Sequence, residues 1–232
     1  MKMFVAERYK ALRKELDACA LDCGRNPKDI TLIAVSKTVG MPEITEAYSA
    51  GALDFGENRP ACIEEKQPQL SQANWHFIGN VQSRAIPCIV KHASLIHSLY
   101  QEKHLDVANT CASKLGKIQD ILLEVNVSGE ESKGGVVPCD LPRLVKHALD
   151  CENLRLRGLM TMAPQGDLEF AQECFCKLAE LKESQKEYMD AQQAQEFCEL
   201  SCGMSEDWRQ GVAAGATFVR VGRAIFSETF TQ

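Results

Sequence analysis

Along this chain, short apolar runs alternate with longer stretches in which apolar residues recur every three or four positions. The runs read as buried strands and the longer stretches as amphipathic helices. The first segment, residues 2–23, carries Leu12, Leu16, Ala20 and Cys23 at helical spacing, and Gly24-Arg25-Asn26-Pro27 ends it. Strand candidates follow at Thr31–Ser36, Ala52–Gly56, Trp75–Gly79, Leu95–His97, Ile121–Asn126, Arg155–Thr161, Phe197–Ser201 and Thr217–Gly222. Between them, Leu141, Leu144, Val145, Ala148 and Leu149 form a helical stripe, with Asp140 as its N-cap and Pro142 in the first turn. Ala171, Cys174, Phe175, Leu178 and Leu181 form another after an Asp167 cap, and Leu105, Ala108, Ala112 and Leu115 a third. Gln192-Gln193-Ala194-Gln195 reads as the end of a long helix and its loop.

Strands alternating with helices at such short intervals predict an α/β fold with a parallel sheet. Eight units predict a closed (β/α)8 TIM-type barrel with an extra N-terminal helix. An open doubly wound sheet is the fallback, because one miscounted strand would change the fold. No low-complexity linker or shift of composition divides the chain, so residues 1–232 read as a single domain.

Composition narrows the function classes. Net charge is −6 with no long run of one sign, so the basic stripe of a nucleic-acid binder is missing. The short cluster Arg155-Leu156-Arg157 reads as part of a solvated face. No apolar stretch approaches membrane-spanning length, and the start of the chain is too charged for a signal peptide. Eleven cysteines, an odd number, read as reduced thiols of a cytoplasmic protein. Cys19 and Cys23, or Cys174 and Cys176, lack a second pair or a His pair at zinc spacing, so no metal site is expected. His76 and His97 fall in strands, where hydrogen bonds should satisfy them. His92, His104 and His147 fall on helices and read as surface residues.

Function in a barrel of this kind sits at the C-terminal ends of the strands. Lys37 stands there, closing the run Thr31-Leu32-Ile33-Ala34-Val35-Ser36-Lys37-Thr38. Partial desolvation at such a position disfavours the ammonium form, and a neutral amine can form a Schiff base with a carbonyl compound such as pyridoxal phosphate (PLP). Taken alone, the lysine reads as one that snorkels from the strand end. Two other loops change the balance. Gly203-Met204-Ser205 after strand seven offers backbone N–H groups and a hydroxyl, and Gly222-Arg223 after strand eight adds N–H groups and a cation. Loops seven and eight are where barrels commonly hold phosphate, although Ser205 would also serve as a plain helix cap. Lysine and phosphate cup together are the two anchors that PLP requires. Lys133, in a Gly- and Glu-rich loop, is the rival Schiff-base lysine and reads as solvated.

These residues carry a resemblance. Ala34-Val35-Ser36-Lys37-Thr38, Phe55-Gly56-Glu57-Asn58, Trp75-His76-Phe77-Ile78-Gly79 and Ile96-His97-Ser98 stand in order. Leu156-Arg157-Gly158-Leu159-Met160, Gly203-Met204-Ser205 with Asp207, and Val219-Arg220-Val221-Gly222 follow them. From Ile30 to Phe226 the chain resembles the pyridoxal phosphate homeostasis protein family, also called the proline-synthase-associated family. The resemblance implies the fold-type III barrel of the alanine racemase N-terminal domain and an internal aldimine on Lys37. It implies that Ser205, Gly222 and Arg223 hold the phosphate, that Arg220 faces the pyridine nitrogen, and that Asn58 and Met160 line the ring pocket. The chain departs from the family pattern at Arg59-Pro60, where an aromatic residue is usual, at Ser83-Arg84, where Asn-Lys is commoner, and at Arg223, usually Thr.

An arginine opposite the pyridine nitrogen keeps it unprotonated and weakens the ring as an electron sink. The expectation is therefore a cytoplasmic carrier, not an enzyme, that stores, buffers or delivers PLP, with PLP-dependent apoenzymes as possible partners; the resemblance implies a monomer. An amino-acid racemase of the same barrel type is the alternative. Racemisation needs a second base, which alanine racemase takes from a C-terminal β domain, and only Ser227 to Gln232 follow Phe226 here. A Schiff-base aldolase is a weaker third reading.

Overall fold

The computed structural model describes residues 4–130 and 133–230. Its eight strands, all parallel, close into one barrel in chain order. They are β1 (Thr31–Val35), β2 (Asp54–Glu57), β3 (Asn74–Phe77), β4 (Leu95–Leu99), β5 (Gln119–Glu124), β6 (Leu154–Met160), β7 (Glu199–Ser201) and β8 (Phe218–Val221). Pairing of Thr31 with Phe218 and of Ile33 with Arg220 makes the closure. α1 (Val5–Asp22) precedes the barrel. The helices between strands are α2 (Met41–Ser49), α3 (Pro60–Lys66), α4 (Ile86–His92), α5 (Glu102–Lys114), α6 (Leu141–Leu149) and α7 (Leu168–Gln185). α8 (Ala191–Glu196), α9 (Trp208–Ala213) and α10 (Arg223–Phe226) complete the set.

Each predicted strand is present, with ends shifted by one or two residues in most cases. α1 ends at Gly24, whose φ of +69° suits a residue without a Cβ. It lies against α2, α9 and α10, and Arg8 Nε donates to the Ile225 carbonyl at 2.7 Å. Asp167 caps α7 by accepting from the Phe170 N–H at 2.9 Å. Asp140 does not cap α6 with its side chain, because a 3₁₀ turn over Pro138–Asp140 already leads into the helix. The glutamines at 192–195 belong to a separate short helix, α8, which Asp190 caps.

Side chains alternate across a strand. Trp75, Phe77, Ile96, Ile121, Leu123, Leu200, Val219 and Val221 join the main core between sheet and helices. The opposite face closes on the barrel axis, where Leu95, Leu122 and Met160 form a small apolar cluster with Phe218. The other axial positions include His76, His97, Ser201 and Arg220, all buried. The barrel interior is thus apolar in one part and a polar column in the other.

No helix among the described residues is long and apolar enough to cross a membrane.

Candidate functional site

A cavity of about 350 Å³ opens at the C-terminal mouth of the barrel. That size is within the range of small-ligand sites. Its wall includes Lys37, Asn58, Ser205, Arg220, Gly222 and Arg223, six of the seven residues expected there. The seventh, Met160, is not on the wall. It ends β6, is fully buried, and packs inside the barrel with Leu95 and Leu122. The chain crosses the rim only at Thr161, so Met162 takes the wall position instead.

Lys37 stands two residues beyond the end of β1 and is exposed, not partly buried as the strand pattern suggested. Burial stops at Ser36. The Ser36 hydroxyl donates to Glu57 Oε1 at 2.6 Å, and the Ser36 carbonyl accepts from Lys66 Nζ at 2.9 Å. Lys66 also donates to Glu57 Oε1 at 2.6 Å, in a pair that is almost completely buried. This knot holds the ends of β1 and β2 against α3 and places Lys37 and Asn58 on the rim. Asn58 Oδ1 is buried with no hydrogen-bond partner among the described residues. An orphaned acceptor on a cavity wall is an attachment point for a ligand donor.

The loop after β7 is shaped by its own residues. Asp207 accepts from the Met204 N–H at 2.5 Å. Gly203 has φ of +91°, and a Cβ there would lie 2.9 Å from Trp208 Cα, so glycine is required. The turn carries Ser205, 4 % exposed, to the wall beside Gly222 and Arg223. Arg223 Nη2 lies 2.8 Å from Glu206 Oε1, and both side chains are substantially exposed. The guanidinium therefore already neutralises a carboxylate of the same wall.

Arg220 is the buried cation of the site. It donates to Ser201 Oγ at 2.6 Å and to the Thr161 carbonyl at 3.0 Å. Burial lowers its pKa, and Cys202, Asp207 and Glu124 oppose that shift. Glu124, 5 % exposed, has its carboxyl pushed up to about 7 by burial, against the pull of Arg220. Asp207 is raised by burial too, with the Met204 N–H and Arg220 acting the other way.

Beside this cavity lies a smaller one that shares Ile78, Gly79, Asn80 and Met162 and adds Tyr100, Glu124 and Lys133. Lys133 pairs with Glu130 at 2.7 Å and is three-quarters covered. Asn80, Met162, Gln165, Glu206 and Glu124 were not singled out from the sequence. Asn80 could have been, since it directly follows the third strand. Nothing in a single sequence distinguishes the others from ordinary loop or strand residues.

The histidines divide as expected in the strands and not in the helices. His76 and His97 are buried and fully hydrogen-bonded. His92 and His104, on helices, are buried rather than on the surface, while His147 pairs with Asp106 at 2.7 Å.

Comparison with known proteins adds to this geometry. The family profile described as alanine racemase, N-terminal domain, matches residues 11–229. The pyridoxal phosphate homeostasis protein of Aquifex aeolicus is 36 % identical over 230 residues, covering 97 % of this chain and 99 % of that one. The protein of the same name from Escherichia coli K12 is 33 % identical, over 96 % of this chain and 95 % of its own. Among solved structures, PipY of Synechococcus elongatus with PLP bound superposes with a TM-score of 0.83 at 32 % identity, over 96 % of this chain and all of that one. Alanine racemase of Clostridium difficile gives a TM-score of 0.70 at 12 % identity, over 92 % of this chain but 55 % of the racemase, which is a likeness of fold.

Proposed function

The chain belongs to the pyridoxal phosphate homeostasis protein family, built on the alanine racemase N-terminal-domain barrel, and from that premise we propose that it binds PLP at the C-terminal mouth of its barrel and serves as an intracellular reserve of the cofactor. The observation that carries the reading is that one cavity collects an exposed lysine, a buried arginine, an orphaned amide oxygen and a two-loop Ser-Gly-Arg wall. That donor set fits a phosphorylated aldehyde with a ring nitrogen. When bound, PLP supplies an aldehyde that one amine can take and another can reclaim.

Lys37 would be the amine that holds the aldehyde covalently. Ser205, Gly222 and Arg223 would take the phosphate. Arg220, fixed on two acceptors, can present only donors to the pyridine nitrogen and so keeps it unprotonated. Asn58 would satisfy its free Oδ1 on the ligand. Met160 lies beneath this wall and would support the pocket from inside the barrel. Lys37 at the mouth, and not at the bottom of a closed cleft, suits exchange with incoming amines. We further propose a single 232-residue domain that acts as a monomer in the cytoplasm and gives the cofactor to PLP-dependent apoenzymes.

Titration of PLP into cofactor-stripped protein tests the function. A saturable visible band at about one equivalent is expected, lost on addition of a competing amine. Failure of the protein to bind PLP, or brisk racemisation of amino acids by the loaded protein, would contradict the carrier reading.

A further inference from the structure

The polar column inside the barrel is continuous. Arg220 Nη1 donates to Ser201 Oγ at 2.6 Å. Ser201 Oγ lies 2.9 Å from His97 Nδ1. His97 Nε2 lies 2.9 Å from His76 Nδ1, and His76 Nε2 lies 3.0 Å from Asp54 Oδ1. The chain starts on the cofactor wall and ends at the first residue of β2, at the opposite mouth of the barrel. There Asp54 and His76 line a crevice with Asp120, Arg157 and Glu199.

Donor bookkeeping at the two ends of the chain together selects one direction. Arginine can only donate. Ser201 Oγ, receiving that hydrogen, has His97 Nδ1 as its other side-chain partner among the described residues. If the hydroxyl donates there, His97 carries its proton on Nε2 and donates to His76 Nδ1. His76 then carries its proton on Nε2 and donates to Asp54. Every hydrogen is used and both imidazoles are neutral. The reverse direction leaves the serine hydrogen without an acceptor among the described residues. It also makes His76 face the Asp54 carboxylate with a lone pair unless it gains a second proton. Burial, His76 and Arg220 all hold His97 in its neutral form.

We propose that Ser201, His97, His76 and Asp54 are positioning residues that lock the Arg220 guanidinium for the cofactor, anchored by Asp54 at the far end of the barrel. The proposal rests on the reading that PLP occupies the mouth cavity. A chain of hydrogen bonds in a dry interior polarises along its length, so loss of the terminal acceptor is felt at the other end. Asp54 lies at the opposite mouth from the cofactor wall, yet with the Ser201 hydroxyl it sets which way the donors point beneath Arg220.

The test has two readouts. In cofactor-free protein, imidazole ¹⁵N spectra at neutral pH should show His97 and His76 each protonated on Nε2 alone. In Asp54→Ala, His97 should become a mixture of tautomers, and PLP should bind about three- to tenfold more weakly, the worth of one hydrogen bond or less. Asp54→Asn keeps an oxygen that accepts from His76, so it should restore both readouts. A proton on Nδ1 of either histidine in the parent would overturn the proposal. So would an unchanged His97 tautomer in Asp54→Ala, or equal loss of PLP affinity in the Ala and Asn variants. If PLP proved to bind elsewhere, the tautomers would stay as stated while its affinity ignored Asp54, which separates failure of this proposal from failure of the site assignment.

Discussion

At the scale of single residues, Arg223 and Glu206 decide how strongly the wall attracts an anion. Arg223 is committed to Glu206, so its charge reaches a phosphate only by sharing. Arg223→Thr leaves the carboxylate uncompensated and should weaken PLP binding. Glu206→Gln releases the guanidinium and should tighten it. Both groups are about half exposed, so each effect should be about two- to fivefold and shrink in high salt. Titrations at two salt concentrations check this, and equal affinities in all three proteins would show that neither side chain acts on the phosphate. Glu124 is a second case. Its folded pKa of about 7 lies above the ordinary 4.5, so the native state holds a proton that the unfolded chain releases. Its contribution to stability is intact below about pH 4.5 and is lost as pH rises through about 7. Glu124→Gln should therefore gain stability on the parent between pH 5 and pH 8, by up to about 3 kcal/mol, read as a growing difference in Tm. That Lys37, Ser205, Gly222 and Arg223 share one cavity wall was legible because strand-end motifs place them, while Asn58 and Arg220 came with the family resemblance. Met160, expected to line the ring pocket, packs inside the barrel while Met162 stands on the cavity wall, because a sequence does not show where a strand crosses the rim.

At the scale of elements, the knot of Ser36, Glu57 and Lys66 does what no motif announced. A lysine near the end of a helix reads as a solvated charge, yet Lys66 is 7 % exposed and reaches back to the ends of β1 and β2. Removing one member of a buried ion pair leaves the other charge without compensation, which costs about 3–5 kcal/mol. Lys66→Met should destabilise by that order in denaturant unfolding and loosen the loop bearing Lys37 and Asn58. The double change with Glu57→Gln should recover much of the loss. A single change that cost nothing would mean that the knot does not hold the rim. The same blindness explains His92 and His104, which sit on helices but face inward. Periodicity marks a helix and its apolar stripe, and it does not mark the polar residues that the stripe buries beside it. Strand positions, in contrast, were recoverable to within a residue or two at most ends, because alternating short runs and helices left little freedom in the topology.

For the whole molecule, barrel closure puts residues more than 180 positions apart, Lys37 and Arg220, on one wall. It also runs a polar column from that wall to the opposite mouth. Eightfold alternation predicted the closure, but the column was not visible, since each of its members lies on a different strand. The homeostasis proteins match this chain over almost their full length. Alanine, serine and other common amino acids should therefore not be racemised above a trace, and turnover near one per second would mark an enzyme. The central claim is that Lys37 holds the cofactor. Borohydride reduction of the PLP-loaded protein, followed by peptide mass mapping, should place the pyridoxyl phosphate label on the peptide containing Lys37, with no label in Lys37→Ala. A label on Lys133, or release of all the PLP after borohydride treatment, would contradict it.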